Sequence, residues 1–511
     1  MECLNIFKLT RRLTLVGKTN SSAIHMGRVV PEIDRNVESD IIDNNVNPKR
    51  LVTRRGSSYV PLPVTLEMAA RSKLRQFGNK QFRGEVFELM SVMNSFKQPD
   101  DEHTIRLKKA DIKTELHVRR KLDFVPEKGD DIVLQEEELD ARAQLNNLIV
   151  GKLQDRTRDW HYYEYDDWAS HLYMAVRLPA NYSVVRTVMQ EIQRCDTSFI
   201  PRSVLDFGSG MGTTIWAVNE VWPNSVSEFM NVEISNEQKY LCESLLRGGK
   251  EMSEDMLPGI FHRQYLPSST KVKYDMVVAA YSMLELPNAG LRAQTLENLW
   301  NKTNDLLIII ERGNAGGFTI VNEARHFLLD LGGHDVTKRV VFTLESRPNF
   351  KTKIPNSHVL APCAHEFLCP RSQMTSKKNM NICRFRTHYE PLEVGMKTAP
   401  ILAEDFSYVV VRKGPHPLYK QDDVSNYYDL NINTRPCRVV ETAKGGTRHV
   451  IHKLCCPNGN LAECVYSRAK YGKAAYELAK SCRWGDLAPI KVKDEYLTYS
   501  DRNKKQNDTS S

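Results

Sequence analysis

The chain has little that would place it in a membrane or in the secretory pathway. No stretch approaches the roughly 18 consecutive apolar residues of a helical membrane span. The longest runs, such as Leu306 to Ile310, are of strand length. A secretory signal needs an apolar core of about 7–15 residues, and Arg11-Arg12 interrupts any such core near the start. Without that signal, the 11 cysteines do not read as a disulfide scaffold. No two of them have the C-x2-C spacing of common zinc sites. Acidic residues are missing from Cys3 to Pro31, and that gap points in a different direction.

The acid-free stretch carries Lys8, Arg11, Arg12, Lys18 and Arg28, interleaved with Leu4, Ile6, Phe7, Leu9, Leu13 and Leu15. A basic, acid-poor, amphipathic segment has the composition of a mitochondrial presequence. The alternative is a basic arm without a fixed structure. Over the whole chain, 71 Lys and Arg face 63 Asp and Glu, a formal charge of +8 on 511 residues. That excess is mild and by itself does not imply nucleic acid. With 41% hydrophobic and 26% charged residues, the chain has the material for a sizeable core.

Periodicity divides the chain. Helical patterns run over 64–77 and 137–153 and over Val184–Cys195, with an aromatic-rich stretch at Trp160–Leu178 that reads as helix packing. Residues 98–136 are charge-rich and read as poorly packed. Then short apolar runs (Val204–Phe207, Met230–Ile234, Met276–Ala280, Leu306–Glu311) alternate with helices at about 212–221, 236–248 and 288–304. That alternation specifies a parallel α/β sheet. Beyond about 345 the chain turns rich in Pro, Cys and Lys, with β-like runs at Tyr408–Arg412 and His449–Leu454 and a helix at Cys464–Ser481. The expected layout is a presequence over 1–31, a linker over 32–59 and a helical domain over 60–197. A Rossmann-like domain follows over 198–345, then a cysteine-rich region over 346–493 and a disordered tail over 494–511.

Val204-Leu205-Asp206-Phe207-Gly208-Ser209-Gly210-Met211-Gly212 is the strongest local motif. A buried strand enters a turn with three alternating glycines, then a helix. Glycine permits positive φ and lets a ligand approach the backbone. The dinucleotide fingerprint would need glycine at 213, which is Thr213, and no Gly-Lys-Ser/Thr follows. Glu233, at the end of the next strand, can accept both hydroxyls of a ribose. Together these residues resemble a class I S-adenosylmethionine-dependent methyltransferase domain. The resemblance implies that Asp206, Gly208, Gly210 and Gly212 surround the methionine part and that Glu233 holds the ribose. The alternative is an α/β domain whose glycines make a tight turn.

Chemistry for methyl transfer is harder to find. Amino-directed methyltransferases carry Asn/Asp-Pro-Pro-Tyr/Phe/Trp after the fourth strand, where this chain has Ala280-Tyr281-Ser282-Met283-Leu284-Glu285-Leu286-Pro287. Cytosine C5 methylation needs a cysteine nucleophile. Cys363 and Cys437 each follow proline, but neither closely follows the fourth or fifth strand. No catalytic base or nucleophile stands out.

Eight of the cysteines fall between 363 and 482. Cys363, Cys369, Cys383 and the Cys455-Cys456 pair lie among turn residues Pro362, Pro370, Pro457 and Gly459. Thiolates gathered from separate loops can hold zinc or an iron–sulfur cluster, with His365 and His452 as alternative ligands. The plain alternative is buried cysteines without a ligand. Between 347 and 420, 12 Lys and Arg oppose five acids, with Phe385, Tyr389 and Phe406 interleaved, a pattern suited to phosphate contact and base stacking on RNA.

Val204–Trp216, Leu306–Gly317, Ala361–Pro370, Leu454-Cys455-Cys456-Pro457-Asn458-Gly459 and Arg483-Trp484-Gly485-Asp486-Leu487 together resemble the methyltransferase-like protein 17 family. These are mitochondrial factors related to the Rsm22 proteins of the small ribosomal subunit. The resemblance spans about residues 60–490. It implies a mitochondrial matrix protein, monomeric when free and not membrane-bound, that binds the immature small subunit through ribosomal RNA and ribosomal proteins. It also implies a 4Fe-4S cluster on Cys363, Cys369, Cys383 and Cys455, and an S-adenosylmethionine fold that has lost methyl transfer. An active rRNA methyltransferase is the alternative.

Overall fold

The structure, a computed structural model, describes residues 27–32, 35–45, 47–48, 59–77, 80–95, 102–120, 144–153, 164–250, 253–269, 271–334, 356–373, 382–392, 400–416, 436–446, 448–488 and 491–494. The expected presequence before Gly27 and the tail after Asp494 lie outside these residues. Two sheets organise the chain.

The larger sheet has eight strands. β2 (Ser203–Phe207), β3 (Glu228–Val232), β4 (Ile260–Arg263), β5 (Tyr274–Ala280) and β6 (Thr303–Arg312) run parallel. β7 (Ser357–Ala361) and β8 (Phe385–Tyr389) each pair antiparallel with β9 (Leu402–Lys413), itself antiparallel to β6. The order is β4-β3-β2-β5-β6-β9-β7. The chain leaves β2 in one direction for β3 and β4 and in the other for β5 and β6, so a switch point opens at the carboxyl ends of β2 and β5. This is the expected α/β fold.

Side chains alternate across this sheet. Leu306, Ile308 and Ile310 face one core, and Leu307 and Ile309 face the other. β9 alternates in the same way, with Phe406, Tyr408 and Val410 on the first side and Val409 and Val411 on the second. Helices Thr213–Val221 and Asn236–Leu246 cover the first face, while Ala289–Lys302 and Ala315–Leu331 cover the second. Their starts are capped by sequence: Ser235 Oγ, Asn288 Oδ1 and Asn314 Oδ1 accept from Gln238 N, Leu291 N and Gly317 N.

The amino-terminal helices share the first core instead of forming a separate domain. Leu66, Phe82, Met174 and Val188 belong to the same apolar cluster as Val204 and Phe406. The two helical segments expected around Trp160–Leu178 and Val184–Cys195 are one helix, Asp167–Cys195, with Pro179 inside it. Residues 102–120 also differ from expectation. They form a helix whose Ile112 and Leu116 are buried beside Ile149. The expected linker holds a helix, Arg35–Ile42, whose Ile41 enters the core of the second sheet.

Two expected boundaries shift. The α/β domain continues past 345 to Lys413, because β7, β8 and β9 complete its sheet. The second sheet has the order β10-β12-β13-β1-β14, with β11 (Lys444–Gly445) on β12. Its strands are β1 (Gly27–Glu32), β10 (Arg438–Val439), β12 (His449–Cys455), β13 (Leu461–Ser467) and β14 (Lys491–Asp494). β1 thus uses residues at the end of the expected presequence. A segment removed on import must stop before Gly27 for this strand to survive.

Candidate functional site

The glycine loop lies at the switch point. Gly208, Gly210 and Gly212 all have positive φ, +70°, +49° and +75°. A Cβ on Gly208 would stand 2.5 Å from Ser282 Cβ, and one on Gly212 would stand 2.5 Å from Cys242 Sγ. These two glycines are therefore required twice, by φ and by space. Gly210 is open, with its nearest neighbour, Gln238 Oε1, 3.7 Å from the Cβ position. For Gly208→Ala we expect a loss of about 2 kcal/mol or more in urea denaturation, from left-handed strain plus overpacking.

Glu233 reaches this loop. Its two carboxylate oxygens accept from Gly210 N at 2.8 Å and Ser235 N at 2.9 Å. Burial raises its pKa. The carboxylate therefore stands where it can exchange backbone donors for ligand hydroxyls. Asp206 behaves differently. It is 2% exposed and takes a hydrogen bond from Thr214, so it braces the loop from within the sheet. Around the loop, Ser209 Oγ, Ser282 Oγ and both polar atoms of the Gln238 side chain are buried without a hydrogen-bond partner among the described residues. Such orphaned groups are costly unless a polar ligand satisfies them. The residues present thus fit a nucleoside-type ligand.

Beyond the loop, the space after β5 is filled by an internal network. Arg177 donates to Glu404 Oε1 at 2.8 Å and Asn181 Oδ1 at 2.7 Å, and its guanidinium stacks 5.1 Å from the Tyr281 ring. Arg312 donates to Met93 O at 2.7 Å. Leu284 N donates to Glu311 Oε1 at 2.9 Å, and Tyr165 donates to Glu285 Oε1 at 3.1 Å. Burial pushes Asp206, Glu285 and Glu311 each up to about 7.

These three shifts fix the sign of a pH dependence. A carboxyl whose folded pKa lies above its unfolded value makes the folded state bind more protons between the two. Stability then falls as pH rises through that window, from about 4 towards about 7. The melting temperature should therefore be lower at pH 8 than at pH 6, and Glu311→Gln should flatten the slope in a pH series of thermal melts.

The thiols form the second site. Cys363 follows β7 and a cis Ala361-Pro362 bond. Cys369 precedes the short helix Pro370–Gln373, and Ser372 Oγ donates to its carbonyl at 2.7 Å. Cys383 precedes β8, and its carbonyl accepts from Ser407 Oγ at 2.7 Å. Cys455 ends β12, in the other sheet. The four side chains share one buried field. Burial raises Cys369, with Cys363 adding to it; burial also raises Cys383, with Cys369 and Cys363 adding. Cys455 is raised by burial and then by Cys363, Cys369, Cys383 and its neighbour Cys456.

Cys456 turns the other way. It packs in the second sheet's core with Cys437, Cys464 and Cys482. Of the alternative nitrogen ligands, His365 Nε2 lies 3.3 Å from Cys455 Sγ, whereas the His452 ring meets Tyr466 edge-on at 5.0 Å. Among the described residues no three His, Cys, Asp or Glu are grouped to hold a metal ion as they stand. The thiols are gathered at the junction of the sheets but are not closed around one point.

Two arginines that the sequence did not single out tie the same junction. Arg438, 3% exposed, pairs with Glu191 at 2.6 Å and donates to Pro362 O and Gly485 O, each at 2.8 Å. Arg371 donates to Ile382 O at 3.0 Å and Glu441 Oε1 at 2.8 Å. The Arg-Trp-Gly-Asp segment is part of this joint: Gly485 N donates to Val439 O, and Val439 N to Asp486 O.

The expected RNA-facing surface needs correction. Phe385, Tyr389 and Phe406 are 2%, 4% and 0% exposed and pack beneath helix Asp167–Cys195, so they offer no stacking platform. The described basic residues of 347–420 all have partners within the chain, although Arg384 and Arg386 stay exposed at 44%. Arg384 and Arg386 pair with Asp405, Arg412 with Asp305 and Asp196, and Lys413 donates to Thr303 O. Arg347, Lys351, Lys353, Lys377, Lys378, Lys397 and Lys420 lie outside the described residues.

A family model described as mitochondrial small ribosomal subunit Rsm22 matches residues 167–489. A human protein named ribosome assembly protein METTL17, mitochondrial, is 32% identical over 351 residues, covering 68% of this chain and 69% of that protein. The Saccharomyces cerevisiae ribosome assembly protein RSM22, mitochondrial, is 22% identical over 428 residues, covering 64% of this chain and 68% of its own length. Among solved structures, a magnesium protoporphyrin IX methyltransferase from Synechocystis PCC 6803 with bound SAM aligns at 10% identity, over 56% of this chain and 100% of that one. Its TM-score of 0.26 carries no weight, and the fold assignment rests on the strand order. The match from helix Asp167–Cys195 to the Arg-Trp-Gly-Asp joint, with the human relative beside it, places this chain in the Rsm22 family.

Proposed function

We propose that this chain is an assembly factor of the mitochondrial small ribosomal subunit, acting in the matrix on immature particles through their ribosomal RNA. The family match over residues 167–489 supports this reading, because it spans the glycine loop and all four converging thiols. On this reading Cys363, Cys369, Cys383 and Cys455 hold a 4Fe-4S cluster. The cluster supplies the covalent tie between the two sheets that their thiols alone do not make. The buried, mutually repelling thiols support it, since a bound metal centre would stabilise their thiolate forms.

The glycine cleft takes S-adenosylmethionine as a structural or sensing ligand. When bound, that molecule supplies an electrophilic methyl group. This chain's residues hold it through Gly210 and Glu233, while the Arg177–Glu404–Tyr281 network fills the space after β5. Glu285 favours a second reading. A carboxyl raised to about 7 is matched to general-base work, as an active rRNA methyltransferase would require.

One experiment separates the two. Cells lacking the chain are complemented with wild type or Glu285→Gln. Small-subunit co-sedimentation and mitochondrial translation are then measured. An assembly factor restores both with either version. Failure of Glu285→Gln to restore translation despite normal co-sedimentation supports the enzyme. Absence of the wild-type chain from small-subunit fractions overturns both.

A further inference from the structure

Helix Ala315–Leu331 carries Arg325 into the junction of the sheets, where it is 2% exposed. Its Nη2 donates to the His365 carbonyl at 2.7 Å. Its Nε and Nη1 are buried and have no hydrogen-bond partner among the described residues. The neighbouring arginines are neutralised, Arg371 by Glu441 and Arg438 by Glu191. Arg325 has no such carboxylate among the described residues. Its charge instead falls on the Cys369 thiol. The residue whose carbonyl it holds, His365, lies 3.3 Å from Cys455 Sγ. One guanidinium is therefore linked to the thiol group in two ways, by its field at Cys369 and by its hydrogen bond to the backbone of His365.

A buried cation without a counter-ion is costly, and so are buried N–H donors without acceptors. Both costs vanish if an anion completes the site. Four thiolates around a metal centre are such an anion. We propose that Arg325 is the counter-charge and positioning residue for the metal–thiolate group of Cys363, Cys369, Cys383 and Cys455, and that it sets how firmly the group is held and how readily it is reduced. This rests on the cluster reading given above. A 4Fe-4S core in its 2+ state with four thiolates carries a net charge of about −2, and one electron from a reductant such as dithionite takes it to about −3. A nearby cation stabilises the more negative state more strongly. Removing it must therefore lower the midpoint potential.

The test uses the full chain purified anaerobically as wild type, Arg325→Gln and Arg325→Lys. Iron and acid-labile sulfide are counted, iron release to a chelator is timed, and the midpoint is read by dithionite titration with electron paramagnetic resonance. Arg325→Gln should release iron about 10- to 100-fold faster, the usual cost of an outer-shell substitution, and should titrate at a lower potential. Arg325→Lys keeps the charge but not the fork, so its midpoint should lie between the two while release is still accelerated. Wild-type release and midpoint in Arg325→Gln overturn the proposal. Should that variant not fold, release from Arg325→Lys at the wild-type rate overturns it instead. A wild-type chain without iron and sulfide sinks the cluster reading, a different failure. If zinc is bound in their place, the same release assay decides the role of Arg325.

Discussion

Replacing Cys455 with serine should remove most of the bound iron, whereas the same change at Cys456 should leave metal content at the wild-type level. The two residues are adjacent in sequence, but Cys455 ends β12 and packs with Val440 and Leu461, whereas Cys456 lies just past the strand in a different cluster. The Cys455 thiol feels the charge of Cys363, Cys369 and Cys383, with its neighbour Cys456 adding least, and lies 3.3 Å from His365 Nε2. Cys456 faces the core built from Cys437, Val439, Leu454 and Tyr466. Serine at 456 therefore costs packing and no ligand, a loss of about 1–3 kcal/mol from burying a hydroxyl without a set partner. Iron per chain on anaerobically purified protein and a urea melt read the two effects separately. Equal iron loss in both variants would falsify the choice of Cys455. Small-subunit association should fall with Cys455→Ser and persist with Cys456→Ser.

The second large effect is expected at Arg438. Arg438→Met takes from Glu191, buried at 3% exposure, the more buried of its ion-pair partners, leaving Arg194, and strands the carbonyls of Pro362 and Gly485. Breaking one partner of a buried pair costs about 3–5 kcal/mol. The lower half of that range is expected here, because Arg194 still reaches Glu191. Adding Glu191→Leu should recover part of the loss, since no uncompensated carboxylate then remains. A urea denaturation series on the single and double variants measures both. A single variant within about 0.5 kcal/mol of wild type, the range of an ordinary surface change, would show that the joint is held elsewhere.

Much of the larger sheet was legible because its signals are local. Val204–Phe207 and Leu306–Ile310 are apolar runs of strand length, and Gly208-Ser209-Gly210-Met211-Gly212 must turn where they end. The edge strand β4 gave no signal. Phe261 is 53% exposed there, and half-buried Ile-Phe-His-Arg lacks an apolar run. The far boundary failed for a different reason. Tyr408–Arg412 was legible as a strand, but apolar runs do not name their partners. The chain leaves β7 at Ala361 and returns to the sheet at Phe385, and the intervening residues bring three of the four thiols. Composition misled about the aromatics and about some of the bases. Arg371 and Arg412 count as basic residues in any tally, yet both are spent on Glu441, Asp305 and Asp196. Phe385 and Phe406 read as interleaved aromatics, but helix Asp167–Cys195 lies over them, with Thr187 meeting Thr387 at 3.4 Å. Arg325 and Arg438 left no trace in the sequence at all, because nothing in a local window distinguishes a buried arginine from a solvated one.

The place of β1 bears on the order in which this protein can be made. Gly27–Glu32 lies between β13 and β14, parallel to one and antiparallel to the other. A polypeptide threaded into an organelle amino-terminus first delivers this strand early, long before either neighbour arrives. The gap of more than 400 residues makes it one of the least local pairings in the chain, and such pairings form slowly. Until then its backbone donors and acceptors stay open to water or to a chaperone. The second sheet, and with it the wall that carries Cys455, can close only after nearly the whole chain has crossed.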